Sequence, residues 1–449
     1  MASKYAGPEF IDKYFKITER GSNLLTEWRA GTATFLTLCY ILPVNARLLS
    51  ESGGPCTCSA ATAKDFACRF YDDQYNQCVE DFRRELITAT AVSAAIACFL
   101  MGTVAKLPFA IAPGMGLNAY FTYNVVGYRG TGMVPWKAAI TCVFFEGLVF
   151  LALSITGLRI RFAKAIPTSI KLATTGGIGF FLAHLGLQTA EGIGLVVTDV
   201  ATGLTLGGCP AGNRSYAVYG PQAYLPKCVE DLKATPIKTC PTIAGAVTAD
   251  AYTCDNAPST VLTSPTTWLG ICTIFIIAVL LKRGIRGAII TGVMFATFIS
   301  WIPDTGVSYW SDDVYPLAGG AGLGGGQYRW EYFKNVVKVE GINKAGAQFD
   351  FNWSGNSMIG IAFFTFLYVD IFDCTGTLYA MAKFANLLDK NGDFEGSTAA
   401  FCVDSASISI GALLGTSPLT VYIESAPGIE EGGRTGVCVL CTCVIQGEF

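Results

Sequence analysis

Long charge-free apolar runs alternate with polar connections along most of the chain. Residues 86–104 and 172–190 contain no charged side chain, and residues 268–281 and 287–302 form two further apolar runs around a basic turn. A segment that crosses a bilayer needs about 17 to 25 apolar residues in succession, whereas a soluble protein scatters them. Because lipid offers the backbone no hydrogen-bond partner, each run is predicted to be a helix.

The pattern predicts ten spans, of which the third and the tenth are interrupted. They cover residues 32–49, 86–104, 108–126, 137–158, 169–190, 267–282, 286–303, 357–381, 398–415 and 416–434, and an eleventh apolar stretch begins at Thr435. Lys and Arg cluster in residues 1–31 and in the connections after the fourth and sixth spans. Since such residues stay on the cytoplasmic side, the amino terminus is predicted to be cytoplasmic. The loops at 50–85, 191–266 and 304–356 then lie outside.

Glycosylation patterns and cysteines both favour this orientation. Asn213 and Asn352 each begin an Asn-X-Ser acceptor pattern, and both fall in predicted outside loops. The loop cysteines are Cys56, Cys58, Cys68 and Cys78 in the first outside loop and Cys209, Cys228, Cys240 and Cys254 in the second. An even number per loop in an oxidising compartment indicates disulfides, with the pairing left open. A metal site at Cys56 and Cys58 is the alternative, but neither loop contains a histidine, so no metal or cofactor is predicted.

Composition supports the membrane class and excludes others. Hydrophobic residues make up 51% of the 449 residues and charged residues only 14%, against about 25% charged in ordinary soluble domains. The formal net charge is -3, and no basic tract suited to nucleic acid occurs. No phosphate-binding loop, zinc ligand set or nucleophile motif occurs in a suitable context, so an enzyme is not predicted.

Prolines and glycines interrupt the third and tenth spans. In the third span, two prolines five residues apart predict an extended segment over residues 109–112 and a half-helix after it. Broken backbone at membrane depth survives only where protein buries it or where it lines a cavity, so the two breaks predict a transporter's binding site. Proline-kinked packing helices are the alternative. The residues predicted to shape the broken backbone are Pro113, Gly114, Gly116, Thr416, Ser417 and Pro418.

Weak internal symmetry predicts two inverted repeats. Residues 35–41 resemble residues 364–370, and in each copy a broken span comes two spans later. Seven spans precede the second copy, so it enters the membrane from the opposite side. The predicted domains are a cytoplasmic segment at 1–31, a seven-span repeat at 32–303, an outside loop at 304–356 and a partial second repeat at 357–449.

Four carboxylates fall within predicted spans, where an ionisable group is costly and indicates function. Asp370 and Asp373 are three residues apart and share a helix face, and Glu424 lies in the broken tenth span. Such groups can take up a proton facing one side and release it facing the other, as in a proton symporter. Glu146 is interpreted as a structural hydrogen-bond partner. A channel also tolerates acidic groups and broken helices, but inverted repeats favour a carrier.

Five ordered stretches carry a family resemblance. They are RAGTATF at 29–35, APGMGLNAYF at 112–121, GIGFFLA at 177–183, FLYVDIFD at 366–373 and the broken tenth span at 415–436. At these stretches the chain resembles the azaguanine-type, or Azg-like, purine permeases of the nucleobase–cation symporter 2 superfamily, and its Cys-rich loops resemble the plant or algal members. The resemblance implies an all-α polytopic fold of seven plus seven inverted spans, divided into core and gate domains.

The resemblance also implies a function: proton-coupled uptake of adenine, guanine and hypoxanthine across the plasma membrane. Carried over by motif, the substrate contacts are Asn118, Asp370, Asp373 and Glu424. Asp373 and Glu424 are also implied in proton coupling. Three aromatic residues are candidates for stacking on the base, namely Phe109, Phe121 and Tyr368. The implied partners are a purine nucleobase, protons and the bilayer, with no nucleic acid and with homodimer formation left open.

The chain differs from the family pattern at its carboxyl end. The family continues through four further spans, whereas residues 435–445 are too few to cross about 30 Å of hydrocarbon. The expectation is a truncated product or a form that a partner completes. Two alternative functions follow: transport of another planar solute, such as uracil, xanthine or a cytokinin, and a non-transporting regulatory subunit.

Overall fold

The structure, a computed structural model, describes most of the helical parts of the chain. The described residues are 8–58, 72–158, 168–187, 193, 195–199, 203–206, 214–216, 252–254, 265–283, 288–303, 305–310, 340–351, 357–389 and 394–448. The chain divides into two compact units. Unit 1 comprises residues 1–56, 77–179 and 337–449, and unit 2 comprises residues 57–76 and 180–336.

Helices make up most of the described residues. The α-helices are α1 Glu9–Phe15, α2 Leu24–Leu38, α3 Ile41–Ser50, α4 Asp73–Leu100, α5 Met115–Ala119, α6 Trp136–Ile155, α7 Thr168–Leu187, α8 Pro265–Lys282, α9 Ala288–Ser300, α10 Ser357–Phe384, α11 Ser397–Leu414, α12 Ala426–Glu430 and α13 Gly436–Glu448. The strands are β1 Ile111–Pro113, β2 Val196–Asp199, β3 Gly203–Leu206, β4 Arg214–Tyr216, β5 Tyr252–Cys254 and β6 Leu419–Val421. Wider π-helical turns extend α4 over Met101–Ala105 and α5 over Tyr120–Val125.

Several helices have the length and composition of membrane spans. Within the described part of the chain, six are long and apolar enough to cross a bilayer: Leu24–Ser50, Gln74–Ala105, Trp136–Ile155, Pro265–Lys282, Ser357–Phe384 and Ser397–Leu414. Thr291–Ser300 and Gly436–Ile445 are shorter apolar helices. The predicted class is therefore confirmed: the chain is a polytopic all-α membrane protein. The third and tenth predicted spans are interrupted, as the prolines indicated.

Two predicted boundaries are wrong because polar helical turns continue beyond the apolar run. The loop predicted at residues 50–85 is helical from Asp73, and its polar turns contain contacts such as the Arg83 to Glu80 ion pair at 2.5 Å. The first span begins at Leu24 rather than at residue 32. The Asn23 side chain caps it by accepting a hydrogen bond of 2.9 Å from the Thr26 N–H. Apolar length alone thus underestimates both helices.

Small residues let the helices of unit 1 approach closely. A Cβ on Gly31 of α2 would collide with the Cys438 backbone of α13, and one on Gly428 of α12 would collide with Thr34 of α2. The buried Glu27 carboxylate accepts hydrogen bonds from three backbone N–H groups at the start of α13, at 2.9 to 3.3 Å. N–H groups at the start of a helix lack a helical carbonyl four residues earlier, so the Glu27 carboxylate supplies acceptors there and fixes α13 against α2.

Unit 2 contains a helical pair and two short β-pairs. Helices α8 and α9 pack against each other, and Gly292 of α9 lies directly on Ile277 of α8. This agrees with the helical pair predicted around the basic turn. Strands β2 and β3 are antiparallel, with Val196 opposite Leu206, and β4 pairs with β5, with Arg214 opposite Cys254.

Candidate functional site

The two broken spans meet in a short antiparallel pair. Strand β1 lies beside β6, with Ile111 opposite Val421 and Pro113 opposite Leu419, and all six residues of the pair are buried. Two backbone hydrogen bonds close its ends, from Gly114 N–H to the Pro418 carbonyl at 2.9 Å and from Tyr422 N–H to the Ala110 carbonyl at 3.0 Å. Proline prevents helix formation in both segments, and each strand satisfies the backbone groups that the other leaves free.

Asn118 connects the two broken segments through a buried polar network. Its amide nitrogen donates to the Asn45 carbonyl oxygen of α3, and its own carbonyl oxygen accepts from the Ser417 hydroxyl. The Asn45 amide donates onward to Thr90 of α4 at 2.7 Å, and Thr90 donates to the Leu86 carbonyl at 2.6 Å. Four chain segments are thereby fixed around the β-pair. Asn45 and Thr90 were not predicted as site residues, although a polar Asn45 within an apolar span was a readable signal.

Three glycines have different surroundings at the breaks. A Cβ on Gly114 would lie 3.0 Å from the Thr420 methyl carbon, so the chain crosses β6 too closely for a side chain. A Cβ on Gly116 would meet nothing within 4 Å. Gly415, just before Thr416 and Ser417, has a φ of +86° and lies against the Ala345 backbone. Gly114 and Gly415 are required by packing and conformation, whereas Gly116 faces open space.

Glu424 lies on a tight turn, Ile423–Ser425, directly after β6. Its carboxylate accepts a hydrogen bond of 2.8 Å from the Tyr40 hydroxyl, which lies at the bend between α2 and α3. The neighbouring Tyr422 hydroxyl donates to the Pro113 carbonyl at 2.6 Å, and the Ser425 hydroxyl accepts from the Ala110 N–H at 2.9 Å. Both flanks of Glu424 are therefore bound to the first broken segment. Sequence reasoning did not identify Tyr40 or Tyr422.

The two predicted aspartates of α10 have different neighbours. Asp373 accepts a hydrogen bond of 3.3 Å from Thr377 and interacts electrostatically with Tyr422, on the side of Glu424. Asp370 is fully buried and interacts with Glu146 of α6 and Asp404 of α11. Asp404 was not among the predicted site residues. The structure thus brings Asp373 and Glu424 toward one tyrosine and places Asp370 in a buried carboxylate cluster.

The three candidate stacking residues also differ in exposure. Phe109 and Phe121 are fully buried and contact Phe394 and Phe366, with ring centroids 6.4 and 6.2 Å apart. Tyr368 retains 59% of its surface and lies 4.3 Å from the Phe372 ring. Among the three, only Tyr368 has a ring surface available to a ligand.

The outside-loop candidates fall partly within the described residues. Cys56 and Cys78 form a disulfide, and Cys58 is also disulfide-bonded. Cys254 lies at the end of β5. Six candidates lie outside the described residues: Cys68, Cys209, Cys228, Cys240, Asn213 and Asn352. In the part of the chain that the structure describes, no group of three or more His, Cys, Asp or Glu side chains could hold a metal ion.

Multiple apolar helices, two broken spans joined at a β-pair and buried carboxylates beside them are features of a membrane transporter. Comparison with known proteins places the chain within that class. The profile of the permease family matches residues 72–207 and 237–449. The chain therefore belongs to this family of nucleobase–cation symporters, and it is a transport protein rather than an enzyme.

Named relatives match nearly the whole chain. "Efflux pump notK'" of Aspergillus versicolor is 38% identical over 98% of this chain and 70% of its own length. "Guanine/hypoxanthine permease PbuG" of Bacillus subtilis is 30% identical over 96% of this chain and 76% of its own. "Adenine permease AdeP" of Escherichia coli is 28% identical over 98% of this chain and 74% of its own. The chain thus spans about three quarters of each relative.

Proposed function

We propose that this protein carries purine nucleobases (adenine, guanine and hypoxanthine) across a membrane in symport with protons. The observation that carries the proposal is the β1–β6 pair, which brings two broken spans together beside Glu424 and Asp373. The names of the relatives PbuG and AdeP support a purine substrate. Both carboxylates accept hydrogen bonds, and a purine offers ring N–H groups as donors.

Exposure divides the four predicted substrate contacts into two pairs. Glu424 and Asp373 retain some accessible surface, and we assign them the direct contacts with the base. Asn118 and Asp370 are fully buried, and we place them behind the site, where Asn118 holds the broken segments together. A Cβ on Gly116 would meet no heavy atom within 4 Å, and we assign the base to this space.

Proton coupling is assigned to Asp373 and Glu424. In such a carrier, the carboxylate takes up a proton and the site binds a base while it faces one side of the membrane. The proton and the base are then both released when the site faces the other side. The two groups suit this role because each is largely buried, and because the hydroxyl groups that contact them, on Thr377 and Tyr40, are neutral rather than cationic. We also propose a plasma-membrane location with a cytoplasmic amino terminus, supported by the basic residues near it.

Uptake measurements test this function. Radiolabelled hypoxanthine and adenine are supplied to cells that lack their own permease, at about pH 5.5 and about pH 8, with wild type and Asp373→Asn. The proposal predicts faster uptake at the lower pH in wild type and loss of that pH dependence in Asp373→Asn. Wild-type uptake that is independent of pH and of this substitution would contradict proton coupling.

A matched pair of glutamates tests the location of the site. Glu424→Gln is expected to reduce purine uptake strongly, whereas Glu430→Gln changes an exposed carboxylate six residues further on and is expected to leave it unchanged. Competition by unlabelled uracil, xanthine and cytokinin separates purine carriage from that of another planar solute. Release from preloaded cells measures the direction of transport, because one relative is named an efflux pump.

A further inference from the structure

Tyr40 lies where the first span bends, between Leu38 at the end of α2 and Ile41 at the start of α3. Pro43 follows within the first turn of α3, where its missing N–H is tolerated and its ring favours the bend. Leu38 and Ile41 are fully buried, whereas the Tyr40 side chain keeps 38% of its surface. Tyr40 therefore lies at an exposed position between two neighbours that are anchored in the core.

Two side chains of the first span contact Glu424. The Tyr40 hydroxyl donates to Glu424 Oε1 at 2.8 Å, and Thr37 Oγ1 lies 3.0 Å from the Glu424 carbonyl oxygen. Thr37 and Tyr40 are three residues apart and share one face of the helix. The first span thus holds both the backbone and the carboxylate of Glu424, although 384 residues separate Tyr40 from it.

Hydrogen bonds fix the backbone around Glu424, so that its side chain is the part that still has to be oriented. Tyr422 and Ser425 bind the Pro113 carbonyl and the Ala110 N–H, so the turn is fixed to the first broken segment. Tyr40 then occupies one oxygen of the carboxylate. Because a carboxylate has about four acceptor positions, Oε2 remains able to accept from a ligand. A hydrogen bond favours a donor near the plane of the acceptor group, so we expect the orientation of that plane to favour one edge of the base.

We propose that Tyr40 is a positioning residue of the substrate site: its hydroxyl fixes the plane of the Glu424 carboxylate, which then accepts an N–H from one edge of a planar nucleobase. The inference rests on the proposed function, since it takes Glu424 as the group that contacts the base. It adds the bent first span as a third wall of the site, beside the two broken spans. In this arrangement, the Glu424 carboxylate selects a base that carries an N–H donor on the edge facing it.

Tyr40→Phe tests this role because it removes the hydroxyl and keeps the ring. The expected result is a KM for hypoxanthine raised about tenfold with Vmax unchanged within about twofold, since one hydrogen bond to the Glu424 carboxyl group is lost and the fold is kept. Tyr123→Phe is the matched control, because it removes a tyrosine-to-glutamate hydrogen bond of 2.6 Å to Glu51. Its KM is expected to stay within about twofold of wild type.

A double-mutant cycle separates positioning from a general packing effect. Binding of hypoxanthine to purified protein is compared for Tyr40→Phe in the wild-type and Glu424→Ala backgrounds. The proposal predicts about a tenfold loss of affinity in wild type and less than about a twofold further loss in Glu424→Ala, because Tyr40 acts through the carboxylate. Equal losses in both backgrounds, or an unchanged affinity in Tyr40→Phe, would overturn it.

The same assay distinguishes failure of this inference from failure of the proposed function. Wild type is first assayed with adenine, guanine, hypoxanthine, xanthine and uracil. If it binds only uracil, the purine assignment is wrong, and the Tyr40 comparison is made with uracil and still decides the positioning role. If it binds none of the five bases, both the proposed function and the role of Tyr40 are refuted.

Discussion

Gly114 and Gly116 lie two residues apart, and substitution by alanine should affect them in opposite ways. A methyl group on Gly114 would lie 3.0 Å from the Thr420 methyl carbon, whereas one on Gly116 would meet nothing within 4 Å. Carbon atoms prefer a separation of about 3.5 to 4.0 Å, so Gly114→Ala creates an overlap of roughly half an ångström or more. The backbone at Thr420 cannot move away easily, because hydrogen bonds hold β6 against β1 at both ends, and the Thr420 side chain is itself buried.

The expected cost of Gly114→Ala is therefore about 1 to 2 kcal/mol of unfolding free energy, in the range for overpacked interiors. Gly116→Ala should cost nothing, since alanine is the better helix former by about 0.5 to 1 kcal/mol. Thermal unfolding in detergent measures both, and a lower midpoint is expected only for Gly114→Ala. In uptake, Gly116→Ala should be the affected variant. It keeps its stability but raises the KM for purine, because its methyl group enters the space assigned to the base. Equal unfolding midpoints for the two variants would refute the close β1–β6 crossing, and a wild-type KM in Gly116→Ala would refute the position of the base.

Three further predictions concern residues that support the site and the surface of unit 1. Asn118→Ala should lower the free energy of unfolding by about 2 to 4 kcal/mol, because two buried partners lose their hydrogen bonds. The control Asn343→Ala changes an exposed residue and should leave that free energy unchanged, as thermal unfolding of both variants would show. The Lys16 ammonium holds the pKa of Glu395 below its usual range. The stabilisation that this lowered pKa provides is fully present above about pH 4.3 and is lost as the pH falls through the lowered pKa. Wild type should therefore unfold at a slightly higher temperature than Glu395→Gln at pH 7, and the difference should disappear in acid or in high salt. Cys78→Ser should lower stability by about 3 kcal/mol, since its disulfide closes a loop with a sequence separation of 22 residues, and mass spectrometry should then find a free thiol at its former partner.

The breaks in the spans could be predicted because proline acts locally. Pro113 and Pro418 each remove a backbone donor and obstruct a helix, whatever the rest of the chain does. The pairing of the two segments could not be predicted, since it depends on contacts between residues about 300 positions apart, such as Tyr422 with Pro113. Local pattern carries no information on which distant backbone supplies the missing hydrogen bonds.

The carboxylates illustrate the same division. A charged residue within an apolar run is visible in sequence, so Asp370, Asp373 and Glu424 were all identified. Their separation into a buried cluster around Asp370 and a partly accessible group near Tyr422 depends on how α6, α10 and α11 pack. Tyr40 was missed because a tyrosine in an apolar span looks like an ordinary packing residue until its partner is known.

Photoaffinity labelling shows whether the paired broken spans form the nucleobase site. The full-length chain is irradiated with a radiolabelled azidoadenine, with and without excess hypoxanthine, and the labelled peptides are identified by mass spectrometry. If the site lies there, residues 109–121 or 419–426 are labelled, and excess hypoxanthine suppresses this labelling. Suppressible labelling confined to the α8 and α9 pair, with neither broken segment labelled, would contradict it.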